Sequence, residues 1–286
     1  MLQLIVNGII MGNIIVLGSI GLTLTYGILK FANFAHGDIM AVGAYLCLFF
    51  LGLELPFIVS IILAVCIAAG LGILMDFCLY RKLREKTSVV LLIASIGAAL
   101  FLRNVIQLIW GPDFIYYNSE IQMAKKLPFG VRVKPDEIFI VIVSFFLIIA
   151  VHLFLNKTKI GKAMRALSDN SRLAGVIGIE TEKIIFWTWG LGCALAAIGG
   201  IFLGLEVQLR PTMGWDILLP IFAAVILGGI GNPYGAMFGG MIIGISQEVS
   251  TAFFNPAYKT VISFLILILV LLVKPSGIFG KKERLV

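Results

Sequence analysis

The stretch "NFAHGDIMAVGAYLCLFFLGLE", Asn33 to Glu54, decides how this chain is read. It opens with Asn, His and Asp within six positions and continues as an uninterrupted apolar run. From Asp38 to Glu54 is about 16 residues, or roughly 24 Å of helix at 1.5 Å per residue. A bilayer core is ~30 Å thick. If Glu54 marks the outer surface, the polar cluster lies inside the membrane or at its inner edge. Non-helical backbone is tolerated there only under protein or beside a water-filled cavity. Gly37 permits a turn, and Asp38 is placed to cap the helix that follows. The stretch reads as a helix interruption. His36 and Asp38 are expected to satisfy and orient broken backbone rather than to perform chemistry.

The remainder of the chain agrees with a membrane setting. Of 286 residues, 60% are hydrophobic and 13% charged, with mean hydropathy +1.07. Soluble domains sit near 45–50% apolar and ~25% charged. Nine apolar runs are visible, at roughly 4–29, 34–53, 56–80, 89–110, 137–156, 184–208, 217–231, 234–253 and 259–274. No alternating pattern of barrel strands appears. The first run is too long for a signal-peptide core and lacks a charged leader, so a retained span is expected. The fold class predicted is all-α: a polytopic integral membrane protein of about eight to nine transmembrane helices, two of them interrupted, forming one domain over 1–286. Cys47, Cys66, Cys78 and Cys193 all lie in apolar runs and read as small hydrophobes.

Charge orients the spans. One set of connections holds Lys30, Arg81, Lys82, Arg84, Lys86, Lys157, Lys159, Lys162, Arg165, Arg172, Lys183, Lys274, Lys281, Lys282 and Arg284. The opposite set holds only Lys125, Lys126, Arg132, Lys134, Arg210 and Lys259. The positive-inside rule makes the first set cytoplasmic, with the N-terminus outside and the C-terminus inside. The net charge of +7 thus serves topology and attraction to membrane lipid, and no nucleic acid is needed.

Two connections are long. The outer one, about 111–136, carries Trp110 at its start, Tyr116 and Tyr117, and Pro112, Pro128 and Pro135. Its aromatics read as interfacial anchors. The inner one, about 157–183, contains "GKAMRALSDNSRLAGVIGIETEKI", Gly161 to Ile184. Ala163, Leu167, Leu173, Ala174, Ile177 and Ile179 form a helical apolar face. Ser168, Asp169 and Asn170 supply cap chemistry midway, and Gly178 is a helix stop. Two short helices are expected. Their small apolar residues and diluted charge fit a knob that docks in a partner's groove better than a helix lying on lipid.

Catalytic constellations are missing. No phosphate-binding G-x-x-x-x-G-K-[ST] occurs, and the only histidines, His36 and His152, lie far apart. His152 is expected to be tucked at a span end. No metal site, cofactor or catalytic residue is predicted, so transport outranks catalysis. Intramembrane ionisable residues are functional candidates by default. Arg103 is expected either to pair with Glu206 or Glu248 or to snorkel to the outer interface.

A second break occurs in "LGGIGNPYGAMFGGMIIG", Leu227 to Gly244. Gly229, Gly231, Asn232 and Gly235 end one short run and open the next. By the charge topology both breaks sit toward the cytoplasmic side. Interrupted segments in corresponding halves are the best sequence pointer to a transporter's pathway. Asn33, His36, Gly37 and Asp38 are therefore grouped with these four as pathway or helix-break residues. Gly231, Gly235 and Gly239 recur every four residues, as do Gly240 and Gly244, and Gly199, Gly200 and Gly204 repeat the theme. Such spacing lets helix backbones approach closely.

Four stretches carry a resemblance. They are "GLTLTYGILKFANFAHGDIMAVGAY" (Gly21–Tyr45), "IASIGAALFLRN" (Ile93–Asn104), "GKAMRALSDNSRLAGVIGI" (Gly161–Ile179) and "LGGIGNPYGAMFGGMIIG" (Leu227–Gly244). Together and in this order they resemble the shorter permease subunit of the ATP-driven (ABC) branched-chain amino-acid importers. The resemblance implies a bacterial cytoplasmic (inner) membrane location. It implies a second permease subunit, two cytosolic ATPase subunits that bind the ATP, and an extracytoplasmic substrate-binding protein as partners. It also implies that Arg165, Ser168, Asn170, Leu173, Ala174, Gly178 and Ile179 belong to the element that couples to an ATPase. One departure is Pro220, where the family pattern has a Lys. Related permeases carry urea, amides or short peptides, which stand as alternative cargo. A stand-alone secondary transporter is the remaining alternative.

Overall fold

The computed structural model describes residues 1–117, 124–126, 130–274 and 276–280. Pro128, Lys281, Lys282 and Arg284, used above, lie outside the described residues.

Each of the nine apolar runs is a helix. α1 (Leu2–Leu29) is apolar all round and mostly buried, as a helix at the centre of a bundle must be. It ends at Lys30, whose left-handed φ of 57° reverses the chain. α2 (Ala35–Gly52) follows four irregular residues. α3 (Phe57–Met75) runs through a π-helical turn (Asp76–Tyr80) into the short α4 (Arg81–Leu83). α5 (Ser88–Trp110) leads into a loop with a two-residue antiparallel pair, β1 (Lys125–Lys126) and β2 (Arg132–Val133). α6 (Pro135–Lys157) starts with proline at its first position, and Glu137 accepts the Lys134 N–H at 2.9 Å. The short α7 (Lys159–Asp169) and α8 (Ser171–Val176) precede α9 (Thr181–Glu206). α10 (Met213–Gly228), α11 (Pro233–Ser250) and α12 (Lys259–Val273) complete the chain.

Seven of these helices are long and apolar enough to cross a membrane, and α10 is a shorter apolar one. The molecule is an all-α polytopic membrane protein. α1 packs against α9, α10 and α11, and α2 fits between α3, α5, α9 and α10. α12 is peripheral and presents Val261, Leu265, Ile268 and Leu272 outward. Outward-facing apolar side chains are the ordinary surface of a protein solvated by lipid.

Small residues set the centre. α1 and α11 touch through Gly12 and Gly244, where an added Cβ would lie 2.3 Å from a backbone carbon. Close backbone approach of this kind is how helices gain dispersion contact where lipid removes the hydrophobic drive.

Candidate functional site

The first break is built from four irregular residues and one helix turn. Asn33 Oδ1 accepts the Ala35 N–H at 3.1 Å and the Tyr80 hydroxyl at 3.2 Å. Asn33, not Asp38, therefore supports the start of α2. Asp38 is the fourth helical residue, and its carboxylate is fully buried. The predicted capping role fails because that carboxylate has another partner. Arg103 Nε and Nη2 donate to Asp38 Oδ1 and Oδ2 at 3.0 and 3.1 Å. Glu248 is held by Lys259. Glu206 lies among Glu137, Lys134, Glu248 and Lys259. The expected pairing of Arg103 with Glu206 or Glu248 is thus overturned, and so is snorkelling. A fork-shaped guanidinium beside a buried carboxylate forms a bidentate pair, the strongest arrangement open to it.

Of the two levels that the helix length allowed, inside the membrane or at its inner edge, the packing selects the first. His36 Nε2 donates to the Gly18 carbonyl at 2.9 Å. Gly18 lies 11 residues before the end of α1, roughly 16 Å along its axis. The chain from Lys30 climbs back along α1 before α2 begins. The break therefore sits deep in the bundle rather than at its basic end. Gly37 meets Gly214, where an added Cβ would come within 2.2 Å of a carbonyl oxygen. The first turns of α2 and α10 thus face one another.

Aromatic side chains close the arrangement. The Arg103 guanidinium lies over the Trp215 ring at 5.0 Å. Phe34 is 6.1 Å from Trp215 and 5.2 Å from Phe222, centroid to centroid. Tyr80 stacks on Trp189 at 5.0 Å and meets Phe31 at a tilt, 5.3 Å between centroids. Sequence reasoning missed Phe34, Tyr80, Trp215 and Phe222. An aromatic in an apolar run carries no pattern that separates it from core.

The second break is a turn joining α10 and α11 at the basic end. Gly229 and Gly231 have φ of 103° and 81°, which only glycine adopts freely. Asn232 Oδ1 accepts from the Tyr234 and Gly235 N–H groups at 3.1 and 3.3 Å and starts α11. Gly231 N–H donates to Thr23 Oγ1 at 3.0 Å. The two predicted breaks therefore differ in depth, and Gly229, Gly231, Asn232 and Gly235 are not beside His36 and Asp38. Pro220 is buried within α10. It cannot donate a backbone hydrogen bond to Asp216.

The basic segment forms the two expected helices. Asn170 ends α7, and its side chain accepts the Leu173 N–H at 3.0 Å. Gly178 has φ 87° and follows α8. Met164, Leu167 and Ala174 face inward. Leu173, Val176 and Ile177 face outward, 58%, 84% and 66% exposed, so the single apolar face of the sequence reading is divided in two. Arg165 and Asn170 are exposed as well, and Ile179 is half-buried. Ser168 Oγ donates to the Gly27 carbonyl at 3.1 Å, and Lys30 Nζ donates to the Ser168 carbonyl at 3.1 Å. The segment is thereby fastened to the end of α1.

Two lesser expectations change. His152 is exposed, edge-on to Tyr234 at 5.5 Å, rather than tucked. Tyr117 turns into the bundle and donates to the Ala44 carbonyl at 2.8 Å instead of anchoring at the lipid interface. Among the described residues no group of His, Cys, Asp and Glu could hold a metal ion.

The sequence matches the family described as "Branched-chain amino acid transport system / permease component" over residues 4–271. The chain belongs to this family. It is 33% identical to the high-affinity branched-chain amino acid transport system permease protein LivH of Salmonella typhimurium, over 99% of this chain and 96% of that protein. It is 31% identical to the corresponding permease protein BraD of Pseudomonas aeruginosa, with the same shares covered. It is 35% identical to a probable branched-chain amino acid transport permease of Methanocaldococcus jannaschii, over 97% and 92%. Its fold resembles a chain of the solved structure of PsaBC from Streptococcus pneumoniae in complex with Fab. That TM-score is 0.56 at 13% identity, covering 97% of this permease and 93% of that chain.

Proposed function

We propose that this permease is the membrane subunit of an ABC importer that passes branched-chain amino acids between itself and a second permease. The near full-length identity to permeases named for that cargo carries the reading. The basic end faces the cytoplasm, the N-terminus lies outside, and the membrane is the bacterial inner membrane. Two ATPase subunits grip the outward face of α7 and α8, and a binding protein delivers cargo at the opposite end. The exposed Leu173, Val176 and Ile177 support this, because apolar side chains on a basic segment need a partner to cover them. ATP is bound and hydrolysed by the partner subunits.

The test is uptake of labelled leucine by vesicles that hold the assembled complex. Uptake is expected only with ATP inside and loaded binding protein outside. Uptake driven by an ion gradient through this subunit alone would count for a secondary transporter. ATP-dependent uptake of urea but not leucine would assign the alternative cargo.

A further inference from the structure

The buried ion pair and the aromatic side chains beside it have an open side. Arg103 uses Nε and Nη2 on Asp38, and its side chain remains 16% exposed. Among the described residues, its second terminal nitrogen, Nη1, makes no hydrogen bond to protein. Trp215, Phe34 and Phe222 are each half-buried, with the guanidinium over one ring. One residue on from Trp215, Asp216 pairs with Arg210 at 2.9 Å, and both are over 40% exposed. The strip thus runs from an exposed ion pair, past a partly exposed arginine, to an aromatic pair.

Such a strip cannot face hydrocarbon. A charge within a span pairs or faces water. Here the pairing is only partial, because one edge of the guanidinium stays free. An arginine lying over an aromatic face gains from the ring quadrupole and keeps its outer edge available for an anion.

We propose that Arg103, Trp215, Phe34 and Phe222 form the cargo-contact strip of the translocation path. The free guanidinium edge meets the carboxylate of a small amino acid, and the rings of Phe34 and Phe222 take its branched aliphatic side chain. This assignment rests on the import function proposed above and names the contact surface for it. Asp38 holds the guanidinium in place and limits its affinity, which suits a path that must release cargo. The rings tolerate leucine, isoleucine and valine alike, because an apolar surface separates them only weakly.

The first experiment does not depend on cargo. In a chain with Cys66 and Cys78 changed to Ser, Phe222→Cys and Phe146→Cys are placed in the assembled complex. Phe222 belongs to the strip, whereas Phe146 lies on an outward face of α6. A charged, water-soluble methanethiosulfonate is expected to label Phe222→Cys and to leave Phe146→Cys unlabelled. No labelling of Phe222→Cys, in any ATP state, would overturn the proposal by placing the strip against lipid or a sealed interface. The second experiment measures uptake in vesicles. Trp215→Ala and Phe222→Ala are expected to lower the maximal leucine uptake rate about tenfold. Trp215→Phe, which keeps a ring under Arg103, is expected to restore most of it. Wild-type uptake in both alanine variants would overturn the strip while leaving the import function standing. Absence of leucine uptake in the unmodified complex would remove the import function itself, and the labelling result would still report which face is wet.

Discussion

Asp38 and Arg103 were both conspicuous as charges in apolar runs, yet 65 positions separate them. Their pairing follows from the late start of α2, which lifts Asp38 to the level of the upper half of α5. Burying either alone is costly, and removing one partner of a buried pair typically costs about 3–5 kcal/mol. Asp38→Ala is therefore expected to lower the thermal midpoint of the detergent-solubilised complex sharply. The double variant Asp38→Ala with Arg103→Met should recover most of that loss, because no charge is left stranded. A double variant no better than the single one would show that the pair is not the stabilising unit. At Gly37 the constraint is steric. Gly37→Ala drives a methyl into the Gly214 carbonyl, and neither backbone can yield without parting α2 from α10. Loss of folded protein on size-exclusion chromatography is the expected outcome.

At the scale of elements, α7 and α8 combine an anchor with an exposed tip. Ser168 and Lys30 tie the anchor to α1, while Leu173, Val176 and Ile177 form the tip. Leu173→Asp or Val176→Asp should leave membrane insertion intact and reduce co-purification of the ATPase subunits. Undiminished association together with normal uptake would remove the docking role. Asn170→Ala tests the joint between the two helices. Loss of the cap is expected to cost about 1 kcal/mol and to fray α8, weakening association less than the aspartate variants do. The helices themselves were legible because caps and stops at Asn170 and Gly178 are local chemistry. The split of their apolar face was not, since Leu167 turns inward only because α7 has the bundle beside it.

At the scale of the molecule, the end of the chain returns to the turn between α10 and α11. Ile278 and Phe279 donate N–H groups to the Leu227 and Gly228 carbonyls at 2.8 and 3.1 Å. Asn232 Nδ2 donates to the Phe279 carbonyl at 3.3 Å. Deleting residues 274–286 unpairs these groups, and faster proteolysis at the Gly229–Asn232 turn is expected in limited digestion. Orientation is checked separately. A periplasm-dependent phosphatase fused after residue 286 should be inactive, and one fused into the 111–134 loop should be active.

Among the described residues, the helices of the nine apolar runs, their order and the basic end could be read from the chain alone. Run length, hydropathy and charge act locally, and lipid leaves an apolar segment little choice but helix. The amphipathic pair at 159–176 was readable for the same reason. The choice between the two depths, and the partnerships, could not be read. Whether Asp38 caps a helix or holds Arg103, whether Glu248 meets Arg103 or Lys259, and which aromatics among so many line an open face depend on how far the chain climbs after Lys30. That climb is set by α1, whose Gly18 carbonyl receives His36, and by the contact of Gly37 with Gly214. The sequence determined that a polar break precedes α2, although the break ends at Phe34, Ala35 to Asp38 form the first helical turn, and Gly37 makes no turn. Only the packing of α1, α2 and α10 decided that the interruption lies deep in the bundle, with its charge turned toward an arginine.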